Sequence, residues 1–207
     1  MNDKSNIFNR SLGRSGLVVF ATLFLSLASP SGNAQNRVAN GSFESVSPKL
    51  TDDSYTVSFG HLATNAVASW DFDISGGNAY DGIANGPGGN LARNVVTDGS
   101  NAAFLQGVGS IAQTVTLPAG IYKLSFYAMG RVPFGPNTVA ISLGDLLNEP
   151  FTPTNSTQSS KDWTLYSYNF IVPQTGTYVL RFSGTIPYFP FFSHQSILQR
   201  QRFHDLY

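Results

Sequence analysis

The sequence predicts an all-β protein: an antiparallel two-sheet β-sandwich of the jelly-roll kind, with an N-terminal export leader and an atypical C-terminal tail. Three observations carry this expectation. After residue 35, apolar residues recur with period 2, and helical spacing is scarce. Proline and glycine turn signals separate the alternating runs. The chain has no cysteine, so an exported fold must rest on its hydrophobic core or on a bound ion.

The leader comes first. Lys4, Arg10 and Arg14 precede an uncharged run from Gly16 to Ala28; Pro30, Ser31 and Gly32 break the chain, and Ala34 is a small residue suited to cleavage. This order of basic, apolar and small is the secretory pattern, so residues 1–34 are expected to be a signal peptide. The apolar run is shorter than the roughly 20 residues that span a bilayer, and no later segment is apolar enough to do so. Beyond residue 34 there are 9 Lys+Arg against 11 Asp+Glu, a net charge of −2. That balance offers no phosphate-binding surface, and nucleic acid is not an expected partner. The expected location is extracellular, at the cell surface or in the periplasm.

The alternating runs then follow in order. Ser69 to Ile74 and Ala102 to Leu105 are short candidates, and Ile111 to Leu117 places Ile111, Val115 and Leu117 inward. Ile121 to Met129 places Tyr122, Leu124, Phe126 and Ala128 on one face, with Lys123, Ser125 and Tyr127 on the other. Thr138 to Leu143 buries Val139 and Ile141; Thr164 to Val172 sets Tyr166, Tyr168 and Phe170 together; Thr177 to Ser183 buries Tyr178, Leu180 and Phe182. Two segments echo each other, TVTLPAGIYKLSF and NFIVPQTGTYVLRF, and read as two similar hairpins. The Gly/Asn-rich stretch from Ser75 to Asn90 reads as a long surface loop of functional kind, and Glu149 to Asp162 as a second irregular stretch. Residues 35–185 form the expected sandwich.

This ordered series resembles the galactose-binding-like jelly roll, in particular the carbohydrate-binding modules of families 4 and 9 and related cell-surface proteins. The residues that carry it are Val38-Ala39-Asn40-Gly41-Ser42-Phe43-Glu44, Trp70, Asn101 to Leu105, Ser110 to Val115, Pro118 to Phe126, Gly130-Arg131, Trp163 and Gly176 to Phe182. The resemblance implies a structural calcium ion with Glu44 as its side-chain ligand. The acid expected of a closing strand is missing, because residues 186–207 depart from the pattern. Pro187 and Pro190 cannot donate to a ladder, Tyr188, Phe189, Phe191 and Phe192 show no polar alternation, and Arg200 and Arg202 sit in a Gln-rich run. This tail is expected to stay outside the sheet, leaving an unpaired edge that invites self-association.

Catalysis finds little support. There is no G-x-S-x-G elbow, only three histidines, His61, His194 and His204, and only two glutamates, Glu44 and Glu149; no catalytic residue is assigned. Asp71 and Asp73 share a strand face, which suits solvation as well as chemistry. Sugar binding needs outward aromatic rings beside hydrogen-bonding groups. The candidates are Tyr80 in the Gly/Asn stretch, Tyr127 beside Lys123, Arg131, and Trp163. Trp163 equally suits core packing and Arg131 an ion pair at a sheet edge. The expected function is a secreted, non-catalytic carbohydrate-binding or cell-surface module with a polysaccharide or glycan partner. The alternative is a structural or adhesion domain with a protein partner, and a glycan-active hydrolase stands third.

Overall fold

A computed structural model describes residues 36–47, 55–58, 66–73, 80–85, 99–130, 137–154, 163–187 and 195–206. The chain divides into Met1–Ser31 and Gly32–Tyr207, and all the described residues belong to the second unit. The expected signal peptide lies outside them. Among the described residues, none forms a helix, and so no helix is long and apolar enough to cross a membrane.

The strands are β1 (Val46–Ser47), β2 (Tyr55–Ser58), β3 (Ala66–Val67), β4 (Asp71–Asp73), β5 (Tyr80–Asn85), β6 (Asn101–Gln106), β7 (Ser110–Leu117), β8 (Gly120–Gly130), β9 (Val139–Leu143), β10 (Leu147–Phe151), β11 (Thr164–Val172), β12 (Gly176–Gly184) and β13 (Gln195–Asp205). They form a six-stranded sheet in the order β11-β8-β13-β6-β5-β2, a five-stranded sheet β10-β9-β12-β7-β4, and the small pair β1-β3. All the named pairings are antiparallel. The two large sheets share one core. Phe126 of β8 is fully buried and meets Phe182 of β12 edge-on, with centroids 5.2 Å apart, and Phe151 of β10 at 5.0 Å. The fold is therefore the expected antiparallel sandwich.

The alternation argument places the core well. Tyr122, Leu124, Phe126, Val139, Ile141, Phe170, Leu180 and Phe182 are all buried. Tyr178 is the correction: it is only partly buried. Its hydroxyl donates to the Gln174 carbonyl at 2.9 Å, so the ring spends its polar end on the turn behind it. Tyr122 does the same to Pro118 at 3.0 Å. In both cases a glycine two residues earlier, Gly120 or Gly176, leaves room for the ring, since a Cβ there would press against it.

These matching turns explain the sequence echo, and they correct its reading as hairpins. Pro118-Ala119 carries the chain from β7 in one sheet to β8 in the other, and residues 173–175 carry it from β11 to β12. Each unit is an arch between layers. The two arches stack, β11 against β8 and β12 against β7, and the Ala119 N–H donates to Thr175 Oγ1 at 3.1 Å.

Two loops read from the sequence are partly strand. Tyr80–Asn85, inside the expected Gly/Asn loop, pairs with β6 along its whole length. Its composition is poor for a strand, but Ile83 is fully buried, and tertiary pairing overrides the weak propensity. Glu149 to Phe151 belongs to β10, where Pro150 is tolerated because β10 is an edge strand.

The tail requires the largest correction. Gln195–Asp205 forms β13 and lies inside the six-stranded sheet, paired to β6 on one side and β8 on the other. Leu198 and Phe203 are fully buried. Phe203 meets Phe170 edge-on with centroids 5.6 Å apart. The register shifts between Gln199 and Arg202, so a bulge changes which parity faces the core. Leu198 points inward on even numbering and Phe203 on odd. At the bulge Gln201 is 0% exposed, and its Oε1 and Nε2 have no hydrogen-bond partner, a cost of about 1–3 kcal/mol for each such atom. Residues 188–194 lie outside the described residues.

The N-terminal segment closes over this bulge. The Gln201 N–H donates to the Gly41 carbonyl at 3.0 Å, and Phe203 N–H to Asn36 Oδ1 at 3.3 Å. A side chain at Gly41 would collide with the Gln201 main chain, so only glycine permits this approach. Arg37 lies 3.9 Å from Asp205 at the end of β13.

Three outcomes test this architecture. Phe203→Ala is expected to cost about 3–5 kcal/mol in chemical denaturation, while Ile171→Ala, at 65% exposed, should cost less than about 0.5 kcal/mol. Amides of residues 195–205 should exchange as slowly as those of residues 177–183; fast exchange would remove β13 from the sheet. A third outcome is an alkaline limit. Burial raises the phenols of Tyr122, Tyr166 and Tyr168 above their ordinary value of 10.0, with Asp205 adding to the effect at Tyr122 and Glu149 at Tyr168. The folded chain therefore holds these protons more tightly than the unfolded chain. Stability is fully present below pH 10 and falls as pH climbs through the raised values. The urea midpoint should drop above pH 10, and less steeply in Tyr168→Phe.

Candidate functional site

The outward side of β11, β8 and β13 carries the chemistry. Alternation that sends Leu124 and Phe126 inward sends Lys123, Ser125 and Tyr127 outward. On β11 the same parity exposes Leu165 and Ser167. On β13 the bulge brings Arg202 and His204 to this side, because Phe203 between them is the core residue. The strands are in register so that Leu165 faces Tyr127, Ser167 faces Ser125 and Ser125 faces Arg202. His204 faces Lys123. Directly opposed residues stand about 5 Å apart and diagonal ones about 7–8 Å.

These side chains line a shallow depression of about 250 Å³: Lys123, Ser125, Tyr127, Leu165, Ser167, Arg202 and His204. One ring nitrogen of His204, Nε2, is 3.2 Å from Ser125 Oγ. Leu165 is 56% exposed and, with Tyr127, gives one end of the depression an apolar floor. The other end offers an ammonium, a guanidinium and an imidazole, with hydroxyls between. No carboxylate is among the described lining residues. The arrangement can stack a flat apolar surface and donate hydrogen bonds to oxygens beside it.

Of the residues expected from the sequence to form a site, Tyr127 is the one found among the described lining residues of this depression. Tyr80 begins β5 and pairs with Gln106; it belongs to the same sheet, but β13 and β6 separate its strand from β8, a gap of about 14 Å. Trp163 is 8% exposed, which corrects its expected outward placement, because a buried ring presents no face to a ligand. Arg131 lies outside the described residues. Ser125, Ser167, Arg202 and His204 were missed. The first two are small hydroxyls with no signal of their own, and the last two sat in a segment read as foreign to the sheet.

Glu44 has a different neighbourhood. Its Oε1 accepts the main-chain N–H groups of Ser100 and Asn101, both at 2.8 Å. Asn101 Nδ2 donates in turn to the Phe43 carbonyl at 2.9 Å. Gly99, at φ 73°, lies directly beneath the carboxylate, where a Cβ would strike it. Nearby, Asn40 Nδ2 donates to the Ser45 and Ala68 carbonyls, and Asn40 Oδ1 accepts from Ser45 N–H. Trp70 Nε1 donates to the Asn40 carbonyl at 3.0 Å. The Asn40 to Glu44 motif is thus a fastener for the N-terminal segment. The atoms aimed at Glu44 Oε1 are N–H donors, and no group of three His, Asp or Glu side chains gathers among the described residues. Both amides already engage Glu44 Oε1, whereas a calcium ion takes six to eight oxygen ligands.

Glu44→Ala should cost about 1 kcal/mol by leaving two N–H groups to water, and a chelator should leave the melting temperature of the parent chain unchanged. A fall on chelation that calcium reverses would restore the ion.

No family model matches the sequence, and neither does any curated protein. Solved structures do match in shape. One is a CBM61 carbohydrate-binding module in complex with β-1,4-galactotriose, 14% identical, with 83% of this chain and 99% of that chain covered at a TM-score of 0.51. Another is a protein from Bacteroides thetaiotaomicron described as a candidate sugar-binding protein, 11% identical, covering 83% of this chain and 100% of that one at 0.49. A third is the CBM22-1 xylan-binding domain of Xyn10C from Paenibacillus barcinonensis, 10% identical, covering 67% and 86% at 0.43. The chain therefore has the antiparallel β-sandwich fold of the CBM61 module.

Proposed function

We propose that this protein is an exported, non-catalytic carbohydrate-binding module that holds a glycan segment against the outward face of β11, β8 and β13. The observation that carries the reading is the depression in which the Tyr127 ring lies beside hydroxyls and cationic donors. A pyranose has an apolar face and an equatorial rim of hydroxyls. Tyr127 and Leu165 suit the face, and Ser125, Ser167 and Arg202 suit the rim. The fold adds support, since a module of the same shape was solved with a galactotriose. Binding without turnover fits the lining, because a glycosidase needs two carboxylates about the scissile bond and none is among the described lining residues. Export fits the leader pattern of residues 1–34.

Covering an aromatic ring removes apolar surface worth about 1–2 kcal/mol. Tyr127→Ala is therefore expected to weaken binding to any glycan retained on an array by about tenfold, with an unchanged melting temperature. An array without a single retained glycan, or a Tyr127→Ala chain that binds as tightly as the parent, would overturn the reading.

A further inference from the structure

The chain as a whole is electrically neutral, with 12 Lys+Arg and 12 Asp+Glu. The depression on β11, β8 and β13 gathers cations: Lys123 and Arg202 line it beside the His204 imidazole, and no acid is among its described lining residues. The register explains how close they stand. His204 is directly opposite Lys123, and Arg202 is opposite Ser125, hence diagonal to Lys123. Like charges close together on a sheet repel, and a carboxylate seated between Lys123 and Arg202 would relieve that repulsion. The bulge at Gln199/Arg202 produces this arrangement, at the expense of burying Gln201 with its amide unpaired.

The rest of the lining narrows the anion. A free inorganic anion would need only the cations. Here the cations adjoin the Tyr127 ring and Leu165 at one end, and Ser125 and Ser167 in the middle. Such a floor suits a sugar ring bearing a carboxylate. Resting on the proposed glycan-binding role of this face, we propose that its ligand is an acidic polysaccharide, a glycan containing uronic acid residues. The uronate carboxylate is held by the Arg202 guanidinium and the Lys123 ammonium, with a hydrogen bond from His204, while the pyranose face lies on Tyr127. Arginine suits this role because its planar fork grips a carboxylate through two parallel N–H bonds.

The test uses the full chain and calorimetric titration with three probes: an oligogalacturonate, a neutral β-1,4-galacto-oligosaccharide of equal length, and dextran sulfate. The expected result is that the oligogalacturonate binds at least tenfold more tightly than the neutral oligosaccharide. Arg202→Gln and Lys123→Gln should each cut oligogalacturonate binding about tenfold, and Lys123→Gln should leave binding of the neutral probe unchanged. Tyr127→Ala should weaken both. Thermal melts of each variant establish that it is folded, and Lys123→Gln, on an outward position of β8, serves if Arg202→Gln does not fold. Equal affinity for neutral and acidic oligosaccharides would overturn the acidic-sugar inference and leave glycan binding standing. Failure to bind either would overturn both. Dextran sulfate bound as tightly as oligogalacturonate would make the face a general polyanion surface, and would also overturn the inference.

Discussion

The pairing of β13 with both β8 and β6 holds the large sheet together. Without it, β11-β8 and β6-β5-β2 would be two separate ribbons, each with an open edge of unpaired N–H and C=O groups. The interior depends on the same strand, because Phe203 and Leu198 fill the space beneath Phe170 and its neighbours. The N-terminal segment depends on it too. Gly41 and Asn36 reach the chain through the main-chain amides of Gln201 and Phe203, and Gln113 clasps the Ala39 amide and carbonyl from β7 at 2.8 Å each. The ends of the described body are therefore fastened at one place.

The second organising element is the stacked pair of arches. Each uses a glycine, one spacer residue and a tyrosine whose hydroxyl returns to the preceding turn. The tyrosine fixes the angle at which the chain leaves one layer and enters the other, and the glycine makes room for the ring. Because the arches pair β11 with β8 and β12 with β7, an error in one would shift the register of both sheets. The outward row of Lys123, Ser125 and Tyr127 inherits its placement from that register.

Most of the sandwich was legible because period-2 burial is a local signal. Phe126, Ile141, Leu180 and Phe182 declare their face through their immediate neighbours. The strands with poor local composition were not legible. β5 is a strand because β6 offers it a partner, and no residue between Tyr80 and Asn85 announces this. β13 defeated the reading for a more specific reason: the bulge inverts parity between Leu198 and Phe203, so no single alternation spans the strand. The candidate site suffered the same loss. Tyr127 was found from β8 alone, whereas Arg202 and His204 become outward residues only once the bulge is known. Trp163 and Tyr178 show the converse limit. Periodicity states which way a side chain leaves the strand, and says nothing about what later covers it or whether a nearby carbonyl draws it toward solvent.

A strand that stands in the middle of a sheet yet follows all the other described strands in sequence imposes an order of events. A ribosome delivers β8 and β6 long before β13, so the two ribbons must wait with a gap between them until residue 205 has emerged. During that interval the chain cannot lock. The final eleven-residue strand then acts as the closing stitch, and commits the large sheet to its shape only once β13 has been made.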